Sequence, residues 1–319
     1  MEECMPDGEP TWLENRRAEQ PEQVMPKPSR AVYDYTIHDP LTRDVAFNRH
    51  SMNDGHHVSP TDNGQLLIGT DSIRVALAQG IDEDAFKRTL SMATRATIGL
   101  DMTDLSNMEA HADWEEMLKG GLQTALETQT IVFAVSGVSR TGTHQLVRSR
   151  KAAFHQQSQR ASYMGDRPEI RMPESIWINE KARAAFLTAS IACWRAYRIA
   201  CEEDISYQDA RFTLQEGTTN FILLEYPVRE FLNVFAYRGC SMFQWEIVHV
   251  MRECRRVLLE AHPWLEPYVK ISCEKIQRCT FQGWEDVEGQ CDFPWAKHEL
   301  RTFKPEFHRI SRRTGKESV

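Results

Sequence analysis

The stretch SGVSRTGTHQLVRSRKAAFHQQSQR, residues 136–160, is the most informative in the chain. Arg140, Arg148, Arg150, Lys151 and Arg160 concentrate positive charge here, in a protein whose formal net charge is −8. Between them stand Gln145, His155, Gln156, Gln157, Ser158 and Gln159, all neutral donors and acceptors. Guanidinium forks suit phosphate oxygens, and amide side chains suit the edges of a base or ribose. A solvated basic helix face has the same composition, so charge alone leaves both readings open.

Working outward, TIVFAV (130–135) is apolar and β-branched, as a buried strand is, and the segment from there through Arg150 suits a basic helix. Residues 178–200 carry apolar side chains at three- and four-residue spacing, which predicts a long helix. TTNFILLEY (218–226) is a second strand, with Pro227 in the place of a first helical residue before VREFLNVFAYR (228–238). A further helix is expected from about 241 to 260. Nearer the N-terminus the chain turns periodic and helical from about residue 71, and 106–119 reads as an amphipathic helix stopped by Gly120 and Gly121. Strands interrupted by long helices, with no regular βαβ repeat, predict an α+β fold.

The 319 residues are enough for one large domain with tails. A hydrophobic share of 41 % and a charged share of 26 % are ordinary for a soluble globular protein. The negative balance argues against broad binding of a nucleic-acid polymer, while allowing a local basic pocket for a small phosphate ester. The acidic, polar start MEECMPDGEP is neither a signal nor a transit peptide, and no apolar run is long enough to span a bilayer. The eight scattered cysteines then read as reduced thiols in a cytoplasm. Residues 1–30 read as a mobile arm, with a strap on a neighbouring subunit as the alternative, and SMNDGHHVSPTDNG (51–64) reads as a loop. The expected division is an N-terminal arm and loop over 1–66, a catalytic domain over 67–268 and a C-terminal extension over 269–319.

No metal site is expected. His56 and His57 lack a spaced third ligand, and Cys273, Cys279, Cys291 and His298 do not match paired CxxC spacing. Trp264, Trp284 and Trp295, with Phe281 and Phe293, give the C-terminal region too many aromatic residues for simple disorder. His144 and His249, among helical neighbours, read as structural residues.

The central stretch resembles the flavin-dependent thymidylate synthases, the ThyX family, whose motif RHRxxSxNxxSxR matches Arg148, Arg150, Ser158 and Arg160 without a gap. GVSR and HQLVR upstream also agree. A second block, ARFTLQEGTTNFILLEYPVREFLNVFAYRGCSMFQWEI (210–247), is similar to the family's second conserved segment at Arg211, Arg229, Asn233, Arg238 and the QWE triplet Gln244 to Glu246. The resemblance spans roughly residues 70–265.

It implies a ThyX-like fold with a mixed sheet flanked by long helices, assembled as a homotetramer with active sites between subunits. The implied reaction is C5-methylation of a pyrimidine nucleoside monophosphate, dUMP or UMP, with FAD as cofactor, methylenetetrahydrofolate as carbon donor and NADPH as reductant. No glycine-rich loop is present, so the flavin would not be held by a Rossmann fingerprint. Carried over residue by residue, Thr124, Arg148, Ser149, Arg150, Gln156, Arg229 and Asn233 would hold FAD. Gln145, Arg148, Gln156, Ser158, Gln159, Arg160, Arg211 and Arg238 would contact the nucleotide, with Arg160 as the phosphate ligand. Arg238 is the catalytic candidate: a cation beside N3 and O2 of the pyrimidine stabilises the charge that makes C5 nucleophilic. Attack by Cys240 is the less favoured alternative, because that cysteine lies in the family's CS context without such a role.

Departures from the family pattern cluster in the site. RHR reads Arg148, Ser149, Arg150; the motif serine is Ala153, the asparagine His155 and the following tyrosine Ala161. GHxSxxEH reads GLQTALET, so its histidines become Leu122 and Thr128, and NAR reads Pro227, Val228, Arg229. Loss of the tyrosine makes room for a ribose hydroxyl that His155 could meet. Alternative readings are a dCMP methylase, a hydroxymethylase, or an inactive nucleotide-binding paralogue. Retention of Arg238 favours a working enzyme.

Overall fold

The computed structural model describes residues 32–39, 42–48, 56–60, 66–69, 73–103, 114–119, 123–165, 169–177, 179–240 and 243–278. The chain begins with strands β1 (Val32–Asp39), β2 (Thr42–Asn48), β3 (His56–Pro60), β4 (Leu66–Gly69) and β5 (Arg74–Gln79). Helices α1 (Glu83–Thr97) and α2 (Trp114–Lys119) follow, then a 3-10 turn, Thr124–Glu127. Next come β6 (Thr130–Ser139), α3 (Arg140–Leu146), β7 (Ala153–Gln156), β8 (Ile170–Met172), α4 (Glu174–Trp177) and α5 (Glu180–Glu202). After α6 (Tyr207–Ala210) and a second 3-10 turn, Arg211–Thr213, the chain closes with β9 (Thr219–Pro227), α7 (Val228–Arg238), α8 (Trp245–Ala261) and α9 (Ser272–Ile276). No helix among the described residues is long and apolar enough to cross a membrane.

Four strands, in the order β5-β6-β9-β7, form the sheet that carries the site. Strand period two sorts its side chains. Ile131, Phe133, Val135, Ile222, Leu224 and Tyr226 face one way and are buried, while Ala134, Ser136, Phe221 and Leu223 face the other. Helices α1, α7 and α8 cover the buried face, packing Phe86, Leu90, Phe231, Phe235, Ile247, Met251 and Leu258 into one core. Each such side chain is worth about 1.5–3 kcal/mol of burial, so this face decides how the sheet lies. Gly137, at φ +78°, makes the bulge between Ser136 and Val138 where β6 leaves its register with β9. Only glycine accepts that backbone cheaply.

Every strand pairing among the described residues is antiparallel, which corrects the expected mixed sheet. Other expectations also shift. His56–Pro60 is a strand within the segment read as a loop. The helix expected from residue 71 starts at Glu83, after strand Arg74–Gln79. The basic helix expected to reach Arg150 ends at Leu146, and the motif continues as a turn and strand β7. Helices α5, α7 and α8 and strands β6 and β9 lie where the sequence puts them. The residues read as arm, most of the C-terminal extension, Gly120, Gly121, Leu122, Cys279, Cys291 and His298 lie outside the described residues.

Candidate active site

Helix α3 carries the basic motif, and its first turn is tied to α8 by a buried carboxylate. Ser139 caps α3 by accepting a hydrogen bond from the Gly142 amide at 2.9 Å. Its amide and hydroxyl donate to Glu246 at 2.6 and 2.5 Å. Burial pushes the Glu246 carboxyl above the ordinary carboxylate range, while the hydrogen bonds from Ser139 and the charge of Arg171 oppose that rise. Arg171, itself buried, donates to the carbonyl of Gly137 at the β6 bulge. A side chain at position 142 would meet Glu246 Oε2 at 2.8 Å, so glycine inside this helix is the condition for the carboxylate's approach. The QWE triplet therefore acts here as an anchor.

The turn after α3 delivers three motif positions to the end of β7 that pairs with Glu225. Arg148 donates to His144 Nε2 at 3.2 Å, a partner that the reading of His144 as merely structural overlooks. Glu127 accepts from Arg229 at 2.9 Å and sits 3.4 Å from Lys151. The hydrogen bond from Arg229, then the charge of Lys151, hold its carboxyl below the usual range. Thr124 lies on the same 3-10 turn as Glu127, and Asn233 lies one helical turn beyond Arg229 on α7. Thr124, Arg148, Ser149, Arg150, Arg229 and Asn233 thus stand on elements that meet around Glu127. Glu127 is missing from the sequence-derived set, although GLQTALET keeps the glutamate of GHxSxxEH.

The other end of β7 is built differently. Gln156 donates to Thr143 Oγ1 at 2.7 Å, and the Gln157 amide donates to Phe221 O at 2.9 Å. Ser162 donates through its amide and hydroxyl to the carbonyl of Ser158, at 3.0 and 2.6 Å. The resulting tight turn buries Gln159 and leaves Ser158 and Arg160 exposed. Beyond it, the ring of Tyr163 lies 5.9 Å from Tyr197 and 5.6 Å from Tyr207, and the Met164 amide donates to the Tyr197 hydroxyl at 3.1 Å. Met164, Tyr197 and Ala210 form a small core, so the turn of Arg211 docks beside the loop of Arg160.

Some expected neighbours stay apart within one chain. β7 is four residues long, so the Arg150 and Arg160 ends are separated by on the order of 13 Å. Gln145 is half-buried on α3, between the two ends. Arg238 closes α7, roughly 14 Å along the axis from Arg229, with its guanidinium 5.0 Å above the Phe243 ring. His155 points to the sheet face opposite α3's partner Gln156, into an open groove of ≈ 390 Å³ lined also by Arg74, Ser136, Gln157, Phe221 and Leu223. Phe221 is 59 % exposed there.

Residues 81–264 match the family described as thymidylate synthase complementing protein. A flavin-dependent thymidylate synthase of Geobacter sulfurreducens is 32 % identical over 195 residues, covering 60 % of this chain and 84 % of that one. Another, from Nitratidesulfovibrio vulgaris, is 34 % identical over 198 residues, covering 59 % and 77 %. Among solved structures, the UMP/dUMP methylase PolB from Streptomyces cacaoi, bound with 5-Br dUMP, is similar in fold at a TM-score of 0.50 and 14 % identity, covering 60 % of this chain and 91 % of that one.

Proposed function

This chain belongs to the flavin-dependent thymidylate synthase family, and from that membership we propose that it adds a one-carbon unit to C5 of a pyrimidine nucleoside monophosphate, dUMP or UMP, using FAD. The catalytic unit is residues 67–268. The observation that carries the reading is the meeting of Thr124, Arg229, Asn233 and the Arg148 to Arg150 turn around Glu127, with a second basic site at Arg160 and Arg211. The first group fits a long anionic cofactor. Arg148 and Arg150 suit its phosphates, while Ser149, Asn233, Thr124 and Gln156 supply neutral hydrogen bonds. A buried hydroxyl, that of Tyr226, has no hydrogen-bond partner among the described residues and adjoins Ser149, as a pocket awaiting a polar ring requires.

At the second site Arg160 and Arg211 hold the nucleotide phosphate, and Gln145, Arg148, Gln156, Ser158 and Gln159 orient sugar and base. Arg238 lies beside N3 and O2 of the ring, where its charge stabilises the negative charge that builds as C5 attacks the donated carbon. The C5 proton leaves to solvent. Bound FAD supplies the hydride chemistry that reduces the transferred methylene to methyl, with NADPH as its reductant and methylenetetrahydrofolate as carbon donor.

The separation of the two ends of β7 supports a homotetramer in which one subunit's flavin group faces another's nucleotide group. The exposed Phe221 and Leu223 on the outer sheet face suit such burial. The test is release of tritium to water from nucleotide labelled at C5, with the FAD-loaded chain, folate donor and NADPH. Release that requires FAD is expected. A chain that binds FAD and nucleotide yet releases none is a binding protein, and the enzymatic reading fails.

A further inference from the structure

Tyr226 is a polar group for which the packing of the chain alone gives no reason. Its side chain is fully buried, 0 % exposed, between the rings of Phe154 at 6.0 Å and Phe231 at 6.0 Å. Its hydroxyl makes no hydrogen bond of normal geometry among the described residues. The groups that act on it electrostatically are Cys254, Ser149, Glu230 and Arg238, so the phenol stands between the motif turn and the arginine assigned to the pyrimidine. Burial pushes the phenol up, which keeps it a hydrogen-bond donor throughout the physiological range. A buried hydroxyl left unpaired costs the full desolvation of that group. Phenylalanine would fill the same volume without that cost.

Position 149 gives the complementary observation. The motif turn places a small hydroxyl, Ser149, between two arginines, half-buried and beside the phenol without closing a bond to it. Two hydroxyls then border one space, where a larger side chain at 149 would crowd the phenol.

We propose that Tyr226 and Ser149 together form a polar contact for the ring system of the bound flavin, Tyr226 donating its hydroxyl proton to a ring carbonyl or nitrogen, so that Tyr226 is a positioning residue of this chain's site. This rests on the flavin reading above. It follows that the hydroxyl is idle in the empty protein and used only when the ring is bound.

The test compares the full chain with its Tyr226→Phe and Ser149→Ala variants, by thermal melting of the flavin-free proteins and by FAD titration followed through flavin fluorescence. For Tyr226→Phe the empty protein should melt at the same temperature or higher, because no partner is left stranded. FAD should bind roughly ten-fold more weakly, with a shifted visible envelope. Ser149→Ala should move the same spectrum in the same direction. Unchanged FAD affinity and spectrum in Tyr226→Phe would overturn the proposal. So would a lower melting temperature or loss of folding, since either means that the phenol serves the empty protein. Wild-type chain that takes up no FAD at all would sink the flavin reading itself, an outcome visible before any variant is made.

Discussion

The two ends of strand β7 both present arginines, but they are prepared in opposite ways. At the Ala153 end the side chains are paired in advance, with Glu127 between Arg229 and Lys151 and His144 against Arg148. At the Gln156 end the backbone is fixed, by the Ser158 to Ser162 turn and the Tyr163, Tyr197 and Tyr207 rings, while Arg160 stays exposed and without an ion pair among the described residues. Cations spaced before binding suit a long cofactor with several contacts, because the ordering cost is met during folding. A single loose guanidinium on a rigid turn suits a small phosphate that comes and goes with each turnover. Helix α3 joins the ends, and Glu246 holds α3.

The largest expected effect tests that shared anchor. Glu246→Ala strands the Ser139 donors and a buried arginine, and should cost about 3–5 kcal/mol in denaturant melts, with loss of binding at both ends. Loss of one ligand alone, at unchanged stability, would show that the ends are independent. Next is Arg238→Ala, which should lower kcat roughly 10²- to 10³-fold while leaving the FAD titration unchanged. Arg160→Ala should weaken nucleotide roughly 10- to 100-fold and spare FAD, and Arg229→Ala should do the reverse. Equal losses of both ligands in either variant would erase the distinction between the two ends.

The smallest effect concerns pH. Because the Glu127 carboxyl is held low, its pairing is complete above the ordinary carboxylate pKa and is lost only as pH falls through the lowered value. FAD affinity should therefore be flat from about pH 6 to pH 8, as measured by fluorescence titration. Glu127→Gln should leave the melting temperature near wild type, as exposed pairs contribute little, while loosening Arg229.

What the sequence reveals follows from which interactions are local. Helices α5, α7 and α8 and strands β6 and β9 are legible because each carries a long apolar pattern of its own. β7 is not, because AFHQ is short and sits among charges; pairing with β9 makes it a strand. RVALAQ (74–79) alternates only weakly, with small residues outward, and is fixed by β6. In the site, the arginine frame is readable from motif spacing. Glu127 gains meaning only when Arg229, distant in sequence, arrives beside it. Tyr226 reads as one more core aromatic until its hydroxyl is found without a partner.

The most direct measurement is the mass of the nucleotide recovered after incubating FAD-loaded chain with methylenetetrahydrofolate, NADPH and dUMP or UMP. A product heavier by one methyl group in place of the C5 hydrogen, formed only when FAD is present, is the predicted result. Nucleotide recovered unchanged from chain that has bound both FAD and nucleotide would contradict it.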